Sequence, residues 1–198
     1  MKGLKVISLF DGMAGGMQAL KMANIPVSEY HAFEIDPYAI KVAKHNHPGI
    51  IHHGSVVDFD FTQFKDVDLL IGGSPCTGFS RAGKGLNFDD PQSKLFFDFV
   101  RAKEEMKPKR FSDCKKFYTL TAQDKHGVLI EGYIRKLTPI ECLRLQSFTD
   151  NCLDVDGISN AQKYRMTGNG WNIEVITHNL NEMKLNKPPA AFQLSMEI

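Results

Sequence analysis

The sequence predicts an α/β fold in which a mostly parallel sheet is flanked by helices. Apolar runs that favour strands alternate with segments that have the periodicity of helices. The first run, residues 5–10, is followed at once by the glycine-rich sequence DGMAGG and then by a helical stripe over residues 17–23. Strand, glycine turn and helix are typical of the opening of a nucleotide-binding βαβ unit. The glycines let a ligand approach the backbone, and the helix N-terminus offers free N–H groups.

Length and composition indicate one globular domain with a small appendage. The chain has 198 residues, of which 42% are hydrophobic, and a net charge of +1, so any nucleic-acid binding must come from a local patch. Its four cysteines (Cys76, Cys114, Cys142 and Cys152) form no CxxC pair, which favours reduced thiols in a cytoplasmic compartment over disulfides or zinc. We expect no membrane span and no signal peptide, because no apolar run is long enough.

Acidic residues follow the next two predicted strands. Residues 30–35 predict the second strand, and Glu34 at its end lies 22 positions after Gly12, where an acid can accept hydrogen bonds from ribose hydroxyls. Asp36 and Pro37 suit a helix N-cap and first position, so a helix over 37–45 and a capping role for Asp36 are expected. Asp58 follows a third short strand. It either accepts from an adenine amino group or is an ordinary loop carboxylate.

Cys76 lies on a loop at the end of another predicted strand. Residues 69–71 form a short apolar run that ends at two glycines and the sequence Ser-Pro-Cys. Chemistry in open α/β sheets is placed at the carboxyl ends of strands, and Pro75 stiffens the backbone there. A lone cysteine is otherwise more often a small buried apolar residue. The loop that follows carries Arg81, Lys84 and several glycines. These suit closure on phosphates or, alternatively, a solvated surface.

The rest of the chain predicts further helices around a hairpin. Pro91 begins a helix whose apolar face is expected to be core, and residues 103–117 read as a linker. Strands are predicted at 118–121, 127–130 and 133–137, and capping boxes at Thr138 and Ser159 begin two helices. A last helix follows Asn172, and the tail from 186 is expected to be poorly ordered. The residues expected on the apolar helix faces are Leu95, Phe96, Phe99 and Ala102, and then Ile173, Ile176 and Leu180.

A cluster of histidines is expected to lie at the surface. His45, His47, His52 and His53 flank a helix end and a turn, without a cysteine or carboxylate at ligand spacing. We therefore expect no metal site there.

Taken together, these motifs resemble those of the DNA cytosine-5 methyltransferases, nearest to the short de novo eukaryotic and phage or bacterial type. In chain order they are DGMAGG, Glu34, Asp58, Pro75-Cys76, RKLTPIECLRLQ and GNGW. The resemblance implies a Rossmann-like S-adenosylmethionine-dependent methyltransferase fold. Residues 1–111 would form its cofactor-binding and catalytic half, and residues 112–198 would complete the same domain.

The resemblance also implies a reaction. The thiolate of Cys76 would add to C6 of a flipped-out cytosine, so that C5 can attack the methyl sulfonium of S-adenosyl-L-methionine and leave S-adenosyl-L-homocysteine. The implied cofactor contacts are Phe10, Asp11, Gly12, Gly15, Gly16, Glu34, Ile35, Asp58, Pro75, Leu95, Asn169 and Trp171. The implied DNA contacts are Ser80, Arg81 and Lys84. No metal is implied, and DNA is the expected partner.

The sequence departs from the family between Cys76 and Tyr118. A Glu-Asn-Val strand, whose glutamate protonates the base at N3, and an Arg-x-Arg strand are both missing. A deletion, a partner chain or second copy that supplies them, or a join near residues 111–112 would each explain this. A catalytically silent module that binds the cofactor or DNA is the alternative function. An NAD-dependent oxidoreductase is a third, although the turn lacks GxGxxG.

Overall fold

A computed structural model describes residues 3–74, 91–109, 111–112, 127–130 and 133–183. Within these ranges, strands and helices alternate along the first half and helices dominate the second. The strands are β1 (Leu4–Leu9), β2 (Val27–Phe33), β3 (Ile51–His52), β4 (Leu69–Gly72), β5 (Phe111–Ser112), β6 (Gly127–Ile130) and β7 (Tyr133–Lys136). The helices are α1 (Gly15–Met22), α2 (Pro37–Asn46), α3 (Pro91–Met106), α4 (Pro139–Leu145), α5 (Asn160–Asn169) and α6 (Ile173–Glu182). None of the helices in the described ranges is long and apolar enough to cross a membrane.

The main sheet reverses its direction of growth beside β1. In the described residues it has five parallel strands in the order β3-β2-β1-β4-β5. The chain moves outward from β1 through β2 to β3, then crosses to the other side of β1 and continues with β4 and β5. Ligands in such sheets bind outside the carboxyl ends of the strands at the reversal. The fold therefore places its crevice where β1 and β4 end.

Two apolar layers cover the two faces of this sheet. Val6 of β1 faces one layer, whereas Ile7 and Leu9 face the other, and all three are fully buried. Residues of α1, α2, α4, α5 and α6 fill the first layer, and a 3-10 helix at Phe61–Gln63 with α3 fills the second. Strands covered on both faces have near-continuous apolar sequences, which is why the short runs at 5–10 and 69–71 predicted β1 and β4.

The predicted helix ends are confirmed where the structure describes them. The carboxylate of Asp36 accepts from the backbone N–H of Tyr38 at 3.0 Å and caps α2. Thr138 and Ser159 form complete capping boxes at α4 and α5, and the side chain of Asn172 caps α6. Ile173, Ile176 and Leu180 are buried, as their spacing predicted.

Two predictions about the α3 region were wrong. Phe96 of α3 is 39% exposed instead of buried, whereas Phe99 and Ala102 lie in the second apolar layer. The predicted linker over 103–117 is partly regular structure, because α3 runs to Met106 and β5 pairs with β4. Charged residues at the end of α3 and a two-residue strand hide both elements from a periodicity argument.

The histidines are less exposed than predicted. His47 is buried, and its Nδ1 lies 2.8 Å from Nζ of Lys21 on α1. Burial, and then the positive charge of Lys21, lower the pKa of His47 to about 4. His52 and His53 are half-buried, and His53 stacks on Phe33. The surface prediction holds for His45, which is exposed, and was wrong for the other three, because β3 and the end of α2 pack inward against neighbouring elements.

Some predicted elements lie outside the described residues. These are the strand at 118–121, the hairpin turn at 131–132, the N-cap of α3 and the tail from 186. Strands β6 and β7 pair antiparallel in a separate two-stranded sheet and do not extend the main one.

Candidate functional site

The turn after β1 is built from backbone in the left-handed region. Phe10, Gly12 and Ala14 have φ angles of 58°, 59° and 64°. Glycine adopts this conformation freely, but it is uncommon for other residues and clusters at functional sites. The turn is fixed to the neighbouring strand, because Asp11 N donates to Phe33 O at 3.0 Å. It therefore presents the backbone of residues 10–14 at the carboxyl end of β1.

Glu34, at the end of β2, holds this turn. One carboxylate oxygen accepts from Gly12 N at 2.8 Å, and the other accepts from Ile35 N and Asp36 N, each also at 2.8 Å. A carboxylate has about four acceptor positions, so these bonds within the described residues leave about one for a ligand hydroxyl. Glu34 thus shapes the turn and keeps the capacity for the ribose contact predicted for it, which stays a prediction.

Asp11 is a buried carboxylate with an unused oxygen. Its Oδ1 accepts from Ser8 Oγ at 2.6 Å and from Tyr30 OH at 2.7 Å, whereas its buried Oδ2 has no hydrogen-bond partner among the described residues. Burial raises the pKa of Asp11 to about 6 against the opposing effect of those two hydrogen bonds, and the negative charge of Glu34 adds to the rise. Buried oxygens are normally bonded, so this one indicates a place for a donor or cation.

A cavity brings together residues from both ends of the chain. Its walls are Phe10, Asp11, Gly12, Met13, Gly15, Phe148, Asn169, Gly170 and Trp171. Trp171 also reaches the end of β4, because a Cβ added to Gly73 would lie 3.1 Å from its Nε1. Gly73 lies three positions before Cys76 in the sequence. The cavity therefore joins the glycine turn to the backbone that leads into the predicted nucleophile.

Ile35 and Asp58 come after the adjacent parallel strands β2 and β3, Ile35 two residues after β2 ends and Asp58 six residues after β3 ends. Ile35 is 73% exposed, and Val57 beside Asp58 is 47% exposed. Asp58 itself is exposed and left-handed, with φ 57°. Exposed aliphatic side chains next to a carboxylate at the strand ends suit a flat ring that carries a polar amino group.

Three predicted contact residues have a packing explanation. A Cβ on Gly16 would overlap Ile71 and come within 2.7 Å of Tyr30 OH, so Gly16 allows α1 to pack on the sheet beneath the turn. Leu95 is half-buried against the second apolar layer, as is Phe10. Their predicted contacts with the cofactor stay predictions.

Several predicted site residues lie outside the described part of the chain. They are Pro75, Cys76, Ser80, Arg81 and Lys84. Two other thiols are described, and both are poor nucleophiles. Burial raises the pKa of Cys142, and it raises that of Cys152 to about 11, whereas reaction requires a thiolate.

Sequence reasoning missed contacts between distant segments. Arg165 of α5 donates to the Asp36 carboxylate at 2.6 Å, which ties the end of β2 to the helix that leads into Asn169. Arg101 of α3 bonds the backbone on either side of Asp58. Met13, Phe148 and Gly170 line the cavity but were not predicted. Met13 and Gly170 lie inside the predicted motifs DGMAGG and GNGW, whereas no local pattern marks Phe148, Arg101 or Arg165, because their partners are distant in sequence.

A family comparison shows which family this chain belongs to. The model of the C-5 cytosine-specific DNA methylases matches residues 4–112 and 113–185, which is most of the chain. The chain belongs to this family. This match confirms the resemblance to the DNA cytosine-5 methyltransferases. The division into halves near 111–112 stays a prediction, and the match itself falls into segments that meet between 112 and 113.

This chain matches only part of the length of its curated relatives in the methylase family. The chain is 43% identical over 138 residues to Type II methyltransferase M.Eco47II of Escherichia coli, covering 69% of this chain and 30% of that protein. It is 37% identical over 115 residues to M.NlaIV of Neisseria lactamica, covering 56% and 27%. It is 38% identical over 113 residues to the orphan methyltransferase M.SPRI of Bacillus phage SPR, covering 56% and 26%. The chain thus spans between a quarter and a third of these relatives.

Solved structures agree with the fold of the methylase family. The S. pombe Dnmt2 methyltransferase has a TM-score of 0.68 at 14% identity and covers 91% of this chain and 98% of that one. The Entamoeba histolytica methyltransferase EhMeth has a TM-score of 0.70 at 13% identity and covers 93% and 100%. The predicted methyltransferase-type α/β fold is confirmed.

Proposed function

We propose that this chain acts as a DNA cytosine-5 methyltransferase that takes its methyl group from S-adenosyl-L-methionine and attacks cytosine through Cys76. The observation that carries the proposal is the cavity between the glycine turn and Trp171, at the point where β4 leads toward Cys76. A donor in this cavity and a nucleophile on the adjoining segment would face the same cytosine. Membership in the C-5 cytosine methylase family supports the proposal.

The residues around the cavity fit S-adenosylmethionine. The cofactor carries an ammonium group and a positive sulfur, and the buried Asp11 offers an oxygen without a partner among the described residues. The left-handed turn at Gly12 would hold the methionine part, and Glu34 would accept from the ribose. Ile35 would cover the adenine ring while Asp58 accepts from its amino group.

In the proposed reaction, the chain supplies the nucleophile and the geometry. The thiolate of Cys76 forms a bond to C6 of a cytosine that has left the duplex stack, and the electron pair moves toward C5. The bound cofactor supplies an electrophilic methyl group. After C5 accepts this methyl, removal of the C5 proton by a base lets the thiolate leave, and 5-methylcytosine and S-adenosyl-L-homocysteine result. Ser80, Arg81 and Lys84 would contact DNA phosphates on the same loop.

The acid that protonates N3 has no match in this sequence. We propose that another chain or a second copy supplies this acid, and a deletion that leaves the chain without the acid is the alternative. Because the substrate is DNA and the relatives are bacterial and phage enzymes, we also propose an intracellular location.

A labelled-methyl assay tests the proposal. Transfer of tritiated methyl from the cofactor to DNA should be abolished in Cys76→Ala and retained in Cys142→Ala, the matched control at a half-buried thiol. DNA that contains 5-fluorocytosine, which has no C5 proton to lose, should trap a covalent complex with the wild type and with Cys142→Ala but not with Cys76→Ala. Equal transfer by Cys76→Ala and the wild type would contradict the role of Cys76.

A silent cofactor- or DNA-binding module is the second candidate, and the missing acid favours it. This module would bind S-adenosyl-L-homocysteine in calorimetry but would transfer no methyl group. Turnover by protein of verified mass excludes this candidate. Binding of NAD in place of S-adenosyl-L-homocysteine would instead favour the oxidoreductase.

A further inference from the structure

The loop that carries Asp58 is held in an uncommon conformation. It runs from the buried Val56 to the 3-10 helix that begins at Phe61, and the exposed Asp58 adopts a left-handed φ of 57°. Left-handed backbone costs most residues with a Cβ about 1–2 kcal/mol, and it stays uncommon even for aspartate, which adopts it more readily than most. Such a conformation persists only where surrounding contacts determine it. The contacts around Asp58 therefore indicate what fixes the position of its carboxylate.

Arg101 of α3 provides these contacts from the far side of the loop. Its Nη2 donates to Val56 O at 2.8 Å and its Nη1 donates to Phe59 O at 2.7 Å, so one guanidinium bonds the backbone on both sides of Asp58. The guanidinium also lies over the Phe61 ring, 5.2 Å from its centroid. The planar, forked guanidinium can bridge two carbonyls at fixed separation, whereas a lysine ammonium cannot hold that fork.

Two acidic residues on α3 orient the Arg101 side chain. Asp98 Oδ1 accepts from Nη2 at 3.1 Å, and a Glu105 oxygen lies 3.6 Å from Nη1. The other oxygen of Glu105 accepts from Phe61 N at 3.1 Å, so the same acidic residue holds the next part of the loop. The Arg101 side chain is 32% exposed, and its bonds run to backbone carbonyls rather than to a site for a ligand.

We propose that Arg101 is a positioning residue that sets the cofactor's nucleoside specificity by fixing Asp58 against the adenine amino group. This rests on the proposed function, in which Asp58 accepts from that amino group. Arg101 would act through its bonds to the backbone on both sides of Asp58 and not through a contact of its own with the cofactor. Without the two guanidinium bonds the loop can leave the left-handed conformation. The Asp58 carboxylate is then no longer fixed where it can accept from the adenine amino group.

Calorimetry with two nucleoside analogues tests this role. S-inosyl-L-homocysteine carries a carbonyl in place of the amino group of S-adenosyl-L-homocysteine and should bind the wild type about tenfold more weakly, since it loses one hydrogen bond to a charged acceptor. In Arg101→Lys this ratio should fall to within about twofold of one, because only the adenosyl compound loses a contact. Arg144→Lys, at an exposed ion pair with Asp150, should keep the wild-type ratio.

A purely structural role for Arg101 predicts a different result. Both ligands would then weaken equally in Arg101→Lys and the ratio would stay at its wild-type value, which would overturn the inference. If Arg101→Lys does not fold, Asp98→Ala releases the guanidinium from α3 without removing it and should lower the ratio in the same direction. An unchanged ratio in a folded Asp98→Ala would also overturn the inference.

The variant Asp58→Ala distinguishes failure of the role inferred for Arg101 from failure of the contact between Asp58 and adenine in the proposed function. If Asp58→Ala keeps the wild-type preference for the adenosyl ligand, the assignment of Asp58 to the adenine is wrong. If Asp58→Ala abolishes the preference while Arg101→Lys keeps it, the assignment of Asp58 holds and only the role of Arg101 is wrong.

Discussion

Replacing Asp11 by asparagine should make the protein more stable at neutral pH and should weaken cofactor binding. Asp11 is buried, and the folded state keeps its carboxyl protonated up to about pH 6, whereas the ordinary value is 3.8. Between these values the unfolded chain releases a proton that the folded protein retains. The free energy of unfolding therefore decreases as pH rises through this window and stays reduced above it.

The size of this effect follows from the shift in pKa. A shift of one unit corresponds to about 1.4 kcal/mol, so a rise from 3.8 to about 6 destabilises the folded protein by about 3 kcal/mol at pH 8. Asparagine removes the charge but places N–H groups at the unpartnered position, which costs about 1 kcal/mol or more. We therefore expect Asp11→Asn to gain about 1–2 kcal/mol at pH 8 and to show no gain at pH 4.

Urea unfolding between pH 4 and pH 8 measures this effect as the difference between variant and wild type. The difference is needed because His47, whose pKa burial lowers to about 4, changes stability in the opposite direction over an overlapping range. Tyr30→Phe provides a check from the other side. It removes one hydrogen bond to Asp11, so its loss of stability should grow as pH rises.

Binding of S-adenosyl-L-homocysteine by Asp11→Asn completes the experiment. Loss of a charged hydrogen bond to the ammonium group should lower the affinity at least tenfold at pH 8. An Asp11→Asn protein that is less stable than the wild type at pH 8 would refute the burial argument. Unchanged affinity in a more stable protein would refute the contact with the cofactor alone.

Two other substitutions probe the walls of the cavity. Gly73→Ala would place a Cβ 3.1 Å from Trp171 Nε1, so the indole must shift. The affinity for S-adenosyl-L-homocysteine, measured by calorimetry, should therefore fall severalfold. Gly49→Ala, at a position with open space around it, should leave this affinity unchanged. Arg165→Ala breaks the ion pair with Asp36. Because both side chains are partly exposed, the free energy of unfolding, followed by thermal unfolding, should fall by no more than about 1 kcal/mol. The affinity for the cofactor should fall measurably. A large drop in stability without loss of affinity would show that the pair does not shape the cofactor site.

Local chemistry explains which elements could be predicted. The caps at Asp36, Thr138 and Ser159 satisfy N–H groups within three residues of themselves, so each is complete in a few letters of sequence. The strands β1 and β4 were visible because both faces of the sheet are covered. The short strand β5 was missed because its two residues gain their state only from pairing with β4.

The candidate site also contains features that the sequence predicted and features that it could not predict. Glycines, acids and the Pro-Cys pair indicated a cofactor and a nucleophile because their order along the chain matches a family pattern. The left-handed φ of Phe10 could not be predicted, since nothing in that side chain favours it. Nor could the role of Arg101, whose acceptor at Val56 lies 45 positions earlier in the chain.

The sequence alone determined the class of fold, the types of functional side chain and the order of the motifs along the chain. Each of these is readable locally, because turns, caps and apolar periods act over a few residues. Only the tertiary structure decided that Asp11, whose buried Oδ2 has no partner among the described residues, lines the same cavity as Trp171, and that Glu34 holds the glycine turn. These relations depend on packing between segments far apart in the chain, where burial changes the free energy of a charge.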